Sequence, residues 1–224
     1  MLPSRNAILS NLTAADFHLL GPHLESVDLP LRRKLEERNK RVTYAYFIES
    51  GFASVVANGT SEPSIEVGII GREGMTGLSI VLGNADPVQN ETYMQMAGAG
   101  QRLSAGKLRE AIGLSPTLHN VMLHYAHAYL MQTSRTALAN GRNNVQERLA
   151  RWLLMADDRI GGELPLTHEF LSLMLGVRRS GVTVTIQELE RKDLISHRRG
   201  VITILDREAL EESSHGTYSV PCAS

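Results

Sequence analysis

One glycine constrains this chain more than any other residue. In LTHEFLSLMLGVRRSGVTVTIQELERKDL, Gly176 separates two short segments with helical spacing. Before it, Thr167 can cap HEFLSLML, which carries Leu171 and Leu175 on one face and small Ser172 where a second helix crosses closely. After it, Val182, Ile186 and Leu189 recur at i, i+4 and i+7, although Val182 to Ile186 also alternates and is β-branched like a strand. Glycine supplies the positive φ of a tight turn, Val177 plugs the turn's underside, and Val182 anchors the second segment. Two short helices joined in this way are the parts of a helix-turn-helix.

The second helix has modest intrinsic propensity, so tertiary packing must hold it. Arg178, Arg179, Ser180 and Thr183 lie at its N-terminal end, where a recognition helix meets base edges. A guanidinium can bind guanine O6 and N7 bidentately, and hydroxyls adapt to several partners. Beyond it, LISHRRGVITIL reads as a hairpin that turns at Gly200, with His197, Arg198 and Arg199 at its tip as phosphate contacts. From Gly176 to Gly200 six basic residues face three acidic ones, a local excess in a chain whose net charge is −1. DNA contact therefore has to come from this patch and not from a generally basic surface. Arg191 and Lys192 read as a solvated helix end.

Upstream, Ser115-Pro116 opens a long helix, with Ser as cap and Pro at the first helical position. Leu118, Val121, Met122, Tyr125, Ala128 and Tyr129, with Met131 and Leu138 beyond these six, give it an apolar surface wider than one stripe. About two dozen residues at 1.5 Å rise span about 36 Å. The expected role is a dimerisation helix with these six residues at the interface; a helix packed wholly within its own chain is the alternative. Asn140-Gly141 is read as its end. Asn144 then caps a helix with Glu147 placed for a capping box, Leu149, Trp152, Leu153 and Ala156 form its apolar face, and Gly161-Gly162 close it. Asp157-Asp158 near that end points to hydration or to pairing with Arg159.

From Ser26 to Gly106 the chain is glycine-punctuated and strand-like, with antiparallel strands predicted over Val42 to Ile48 and Phe52 to Ala57 and a hairpin signal at Asn58-Gly59. A helix capped by Thr13, carrying Phe17, Leu20 and Leu24, precedes it. No apolar run approaches a membrane span, the N-terminus lacks the core of a signal peptide, and the single cysteine, Cys222, closes no intramolecular disulfide. A cytoplasmic location and no membrane partner are expected. The chain shows no phosphate-binding loop, GxSxG elbow or HExxH motif, so no enzyme is expected. His119, His124 and His127 lack acidic or cysteine partners at ligand spacing, and no metal site is assigned. Met75, Met94, Met96, Met122 and Met131 read as core filling. Arg32-Arg33-Lys34 and Arg38 to Arg41 read as solvated charge, with RNA polymerase a further candidate partner.

These segments together resemble the CRP/FNR family of bacterial transcription regulators over essentially the full length. The strongest match is LTHEFLSLMLGVRRSGVTVTIQELERKDLISHRRGVITI; a second is YAYFIESGFASVV, similar to the family's β-roll strand–turn–strand. The resemblance implies an α+β fold: an N-terminal antiparallel, cyclic-nucleotide-binding-like β-roll over 1–114, a dimerisation helix over 115–140 and a C-terminal winged helix-turn-helix over 141–224. It implies a homodimer that binds double-stranded DNA at an inverted repeat, with Thr167, His168 and the wing on phosphates. The family's recognition-helix arginine falls on Arg179, whereas its base-reading Glu and Arg positions fall on Ser180 and Val184.

The sensor half departs from the cyclic-AMP-binding pattern. The family's ribose-binding glutamate falls near Leu78 and its phosphate-binding arginine near Val88, and no arginine occurs from Glu73 to Gln101. Without a cation, cyclic phosphate loses its charge-assisted hydrogen bonds. Backbone amides around Gly74 or Gly77 remain as an anion cradle. No cofactor is predicted and no effector is identified. The competing reading is a small-ligand or interaction sensor whose DNA-binding part is vestigial.

Overall fold

The computed structural model describes residues 4–58 and 64–220, so Gly59 of the expected hairpin turn and Cys222 fall outside the described residues. Contacts divide the chain into two units, one of Met1–Val56 and Gly68–Met131, the other of Ala57–Val67 and Gln132–Pro221. The division falls inside the long helix and not at either of its ends.

The first unit opens with α1 (Ala7–Ser10) and α2 (Ala14–Leu20). The strands β1 (Glu25–Leu29), β2 (Lys34–Glu36), β3 (Tyr44–Ile48), β4 (Phe52–Ala57) and β5 (Ile65–Ile70) follow, with Ala57 and the first half of β5 counted in the second unit. Next come α3 (Leu78–Val81), β6 (Glu91–Met96), β7 (Gly98–Ser104), α4 (Ala105–Leu114) and α5 (Pro116–Arg142). One sheet has the order β1-β7-β3 and another β2-β6-β4-β5. The β1–β7, β3–β7, β2–β6 and β4–β6 pairings are antiparallel. Ala45 to Ile48 and Phe52 to Val56 are buried without alternation, as strands covered on both faces must be. Phe47, Met75, Leu103, Leu108, Leu118 and Met122 belong to one core cluster.

Helix starts follow from local chemistry. Thr13 caps α2 as expected, but the helix stops at Leu20 and Leu24 lies beyond it. Ser104 caps α4, an amphipathic helix that the strand-like reading up to Gly106 missed. At the start of α5 the Ser115 hydroxyl accepts the Leu118 amide and donates to the Asp16 carboxylate, which also accepts Thr13 and Thr117 hydroxyls. Ser115 is the main cause that holds Asp16 below its ordinary value of 3.8, with Thr13 and Thr117 adding to it against the effect of burial. The α5 helix continues through Asn140-Gly141 to Arg142; an exposed glycine in a helix costs only about 1 kcal/mol.

The second unit continues with α6 (Val145–Ile160), β8 (Glu163–Pro165), α7 (His168–Leu175), α8 (Arg179–Arg191), β9 (Ile195–Arg198), β10 (Val201–Ile204) and α9 (Arg207–Ser213). Asn144 and Glu147 form the expected capping box of α6, and Gly161 ends it. The wing sheet has the order β8-β10-β9, with one strand more than the hairpin read from sequence. Asp157 and Asp158 pair with Arg207, and the Arg159 guanidinium bonds the Met155 carbonyl one turn back. After α9 the tail crosses back, and its Thr217 carbonyl accepts the buried Arg151 guanidinium, which also reaches Thr136. Burial lowers Arg151 to about 10, so it remains charged at neutral pH. Met75, Met94 and Met122 fill the core as expected, whereas Met131 is exposed. Among the described residues no helix is long and apolar enough to cross a membrane.

Candidate nucleic-acid interface

Thr167 accepts the Phe170 amide and starts α7. The helix ends at Gly176, whose φ of 62° places it in the left-handed region. Its amide bonds Leu173 and that of Val177 bonds Ser172, the two closing bonds of a Schellman turn. Leu171, Leu175, Val182, Ile186 and Leu189 are buried, which settles the ambiguous α8 segment as a helix. Propensity is overridden because the i, i+4, i+7 face meets its neighbours.

This packing leaves Arg178, Arg179 and Ser180 exposed at the entrance of α8. No side chain caps the helix there; Arg178 itself occupies the cap position. Arg198 and Arg199 are exposed at the wing tip, where Arg199 and Gly200 both have positive φ, as a two-residue hairpin turn requires. The wing is tied to the far end of α8 by the His197 amide, which donates to Glu190 at 2.8 Å.

Three predicted contact residues are engaged inside the domain. The Thr183 hydroxyl donates to the Arg179 carbonyl at 3.1 Å, and His168 Nδ1 lies 2.9 Å from the Thr183 hydroxyl oxygen. One hydroxyl has one proton, so with that bond made Nδ1–H is the donor to Thr183. The His168 and His197 rings lie tilted against each other at 35° with centroids 4.9 Å apart, and the Nε2 of each is buried away from solvent. His168 therefore presents no free ring nitrogen to a phosphate, and the proton of Thr183 is already given to the Arg179 carbonyl. Burial, then the neighbouring His197 and Arg179, hold His168 below its ordinary 6.5 against the opposing pull of Glu190. Sequence spacing gave no signal for this cluster, because it joins the start of α7, the first turn of α8 and β9.

Three of the six long-helix residues expected at a dimer interface are buried within their own unit. Leu118 and Met122 are 0% exposed and Tyr125 is 4%, all within the core of their own unit. A side chain with no accessible surface has none to share with a partner. Val121 and Tyr129 pack partly against the same core, and Ala128 is half-buried. The apolar side chains left exposed are Leu123, Leu130, Met131 and Leu138.

In the β-roll, the expected anion cradle is already engaged. The Gly77 amide donates to one oxygen of Glu36 at 2.8 Å and the Thr92 hydroxyl to the other at 2.5 Å. The Tyr125 ring occupies the place that a Cβ on Gly74 would take, so that backbone is covered. His119 bonds the Val81 carbonyl and His124 the Asn120 carbonyl. Among the described residues no three His, Cys, Asp or Glu side chains are grouped to hold a metal. Lys34 pairs with Glu91 and Lys40 with Glu37, and Arg33 bonds the Asp28 carbonyl, as solvated local charge would.

The family profile described as a Crp-like helix-turn-helix domain matches residues 147–213, the segment that contains α7, α8 and the wing. Residues 147–213 are a Crp-like helix-turn-helix domain. The fold is similar to that of solved CRP/FNR regulators. A candidate Crp/Fnr-family regulator from Eubacterium rectale superposes with a TM-score of 0.73 at 18% identity over 94% of this chain and 99% of that one. The c-di-GMP-responsive global regulator CLP of Xanthomonas campestris gives 0.71 at 16%, covering 87% and 100%. A CRP-family regulator from Thermus thermophilus gives 0.70 at 16%, covering 88% and 100%. No curated protein sequence matches the chain. The resemblance drawn from sequence is borne out at the level of the fold: a CRP/FNR-type fold that contains a Crp-like helix-turn-helix domain.

Proposed function

We propose that this chain is a homodimeric, sequence-specific transcription regulator that acts in the cytoplasm without cyclic AMP. The observation that carries this reading is the exposed Arg178–Arg179–Ser180 entrance of α8 in the Crp-like domain, with Arg198 and Arg199 exposed on the wing. Arg179 reads guanine in a major groove, Arg178 and Ser180 lie beside it, and the wing arginines and the exposed Thr167 hold phosphates. Leu123, Leu130 and Met131, exposed on α5, supply the dimer seam in place of the buried Leu118 face. Leu123 and Leu130 stand one heptad apart, the spacing of a helix–helix seam. Independence from cyclic AMP is supported by Glu36, whose carboxylate takes the Gly77 amide and Thr92 hydroxyl, and by the absence of arginine from Glu73 to Gln101.

The test is selection of binding sites from a random duplex pool by the purified protein without an added effector. The expected product is an inverted repeat with half-site centres about one helical turn, or about 34 Å, apart. Arg179→Ala should relax base preference at one position per half-site, and Leu130→Glu should shift the protein to monomer in sedimentation. Unselective, salt-sensitive binding that Arg179→Ala leaves unchanged would instead favour a sensor with a vestigial DNA-binding part.

A further inference from the structure

The exposed face of α8 carries one large apolar side chain. Val184 is 53% exposed in the middle of the helix, while Val182, Thr185, Ile186 and Leu189 are buried on the opposite side. A β-branched side chain there weakens helix propensity and returns little packing in exchange. It stands one turn in from Ser180, and both line an open groove of about 480 Å³ whose other wall is the start of α6 at Asn144 and Val145. Thr183, its neighbour in sequence, has its hydroxyl held by His168 and the Arg179 carbonyl. From Arg178 to Val184 the helix contains no carboxylate.

We infer that Val184 is a specificity-determining contact that reads the 5-methyl group of a thymine in the major groove, one turn inward from the base read by Arg179. The inference rests on the reading of α8 as the recognition helix. Among the base edges in that groove only thymine presents an apolar group; the others present hydrogen-bonding atoms. Valine offers no donor or acceptor, so facing an amino or carbonyl group it would desolvate that group without replacing its hydrogen bond. Against a methyl group both surfaces leave water together. The half-site of this protein therefore carries a thymine where an arginine at this position would select a guanine.

The experiment uses the full-length protein and the duplex it selects, with each half-site thymine replaced in turn by uracil. Uracil lacks only the methyl group and keeps every hydrogen-bonding atom. Affinity should fall about fourfold per half-site at one position, the loss expected for one buried methyl-sized contact, and should be unchanged at the others. Val184→Ala, a substitution that favours the helix at an exposed position, should bind thymine and uracil duplexes alike, with the fluorescence of Trp152 unaltered. Equal binding of thymine and uracil duplexes at every position by the unmodified protein would overturn the assignment. So would uracil sensitivity that persists in Val184→Ala. In either case an effect of Arg179→Ala on base preference would leave the recognition helix itself standing; its absence, or failure to select any duplex, would bring down both readings.

Discussion

Replacing Gly176 tests whether the handedness of one turn residue holds the two helices of the DNA-binding domain together. Its φ is 62° and ψ 35°. A Cβ built there would lie 3.5 Å from Ile65 Cδ1, ordinary van der Waals contact, so space is not the constraint. The cost of a side chain is then the left-handed backbone itself, about 1–2 kcal/mol for an L-residue. Gly176→Ala should therefore destabilise by about 1–2 kcal/mol, Gly176→Asn by less because asparagine visits this region, and Gly176→Val by more because a β-branched residue is an outlier there. Trp152 is the only tryptophan, belongs to the same unit and is 4% exposed. Its indole donates to Glu66 at 2.5 Å and its ring meets Phe170 edge-on at 5.6 Å. Urea unfolding followed by its fluorescence thus reports on this unit, and the variants should shift the midpoint without changing the slope. Thermal midpoints should fall about 4–8 °C per kcal/mol for a domain of this size. If the alanine variant is as stable as the parent, or asparagine is as costly as valine, the turn is not maintained for its positive φ.

Two further perturbations address the ionisable groups. His168 is held below its ordinary 6.5 in the fold, chiefly by burial, so the unfolded chain binds more protons as pH falls below that value. The stability it contributes is present above about 6.5 and is lost as pH drops toward the folded value. The Trp152 thermal midpoint should decline over that window in the parent and less steeply in His168→Gln; identical slopes would acquit His168. Asp16 works the same way at lower pH: held below 3.8, it contributes stability above that value which disappears as pH falls through the folded one. Asp16→Ala leaves the Thr13, Ser115 and Thr117 hydroxyls without their acceptor and should cost about 2 kcal/mol in denaturant unfolding. An unchanged midpoint would show that water replaces the carboxylate.

Some of this architecture is written in short stretches of the chain. Asn144 with Glu147, Thr167, Thr13 and Gly176 each declare a helix end, because a cap or a left-handed turn is satisfied within four residues. The arginines at the entrance of α8 are placed as soon as that helix is. Elements without strong local signals were not legible. The strand β8 is three residues that exist as a strand only because β10 pairs with them, and α4 lay hidden behind a glycine.

The periodicity of α5 announced an apolar helix but not which face its own unit would cover, and Leu118 and Met122 went to the core while Leu123 and Leu130 stayed outside. Likewise no spacing could reveal that His168 meets Thr183 and His197, that Glu36 takes the Gly77 amide, or that Arg207 holds Asp157 and Asp158. By itself the sequence determined where helices begin, where the chain must turn and which end of α8 is basic, because those choices are settled by backbone sterics and capping over a few residues. Which apolar faces are spent inside, and which polar atoms are left for a partner, was decided only by the tertiary structure, since burial and hydrogen-bond satisfaction depend on groups brought together from distant parts of the chain.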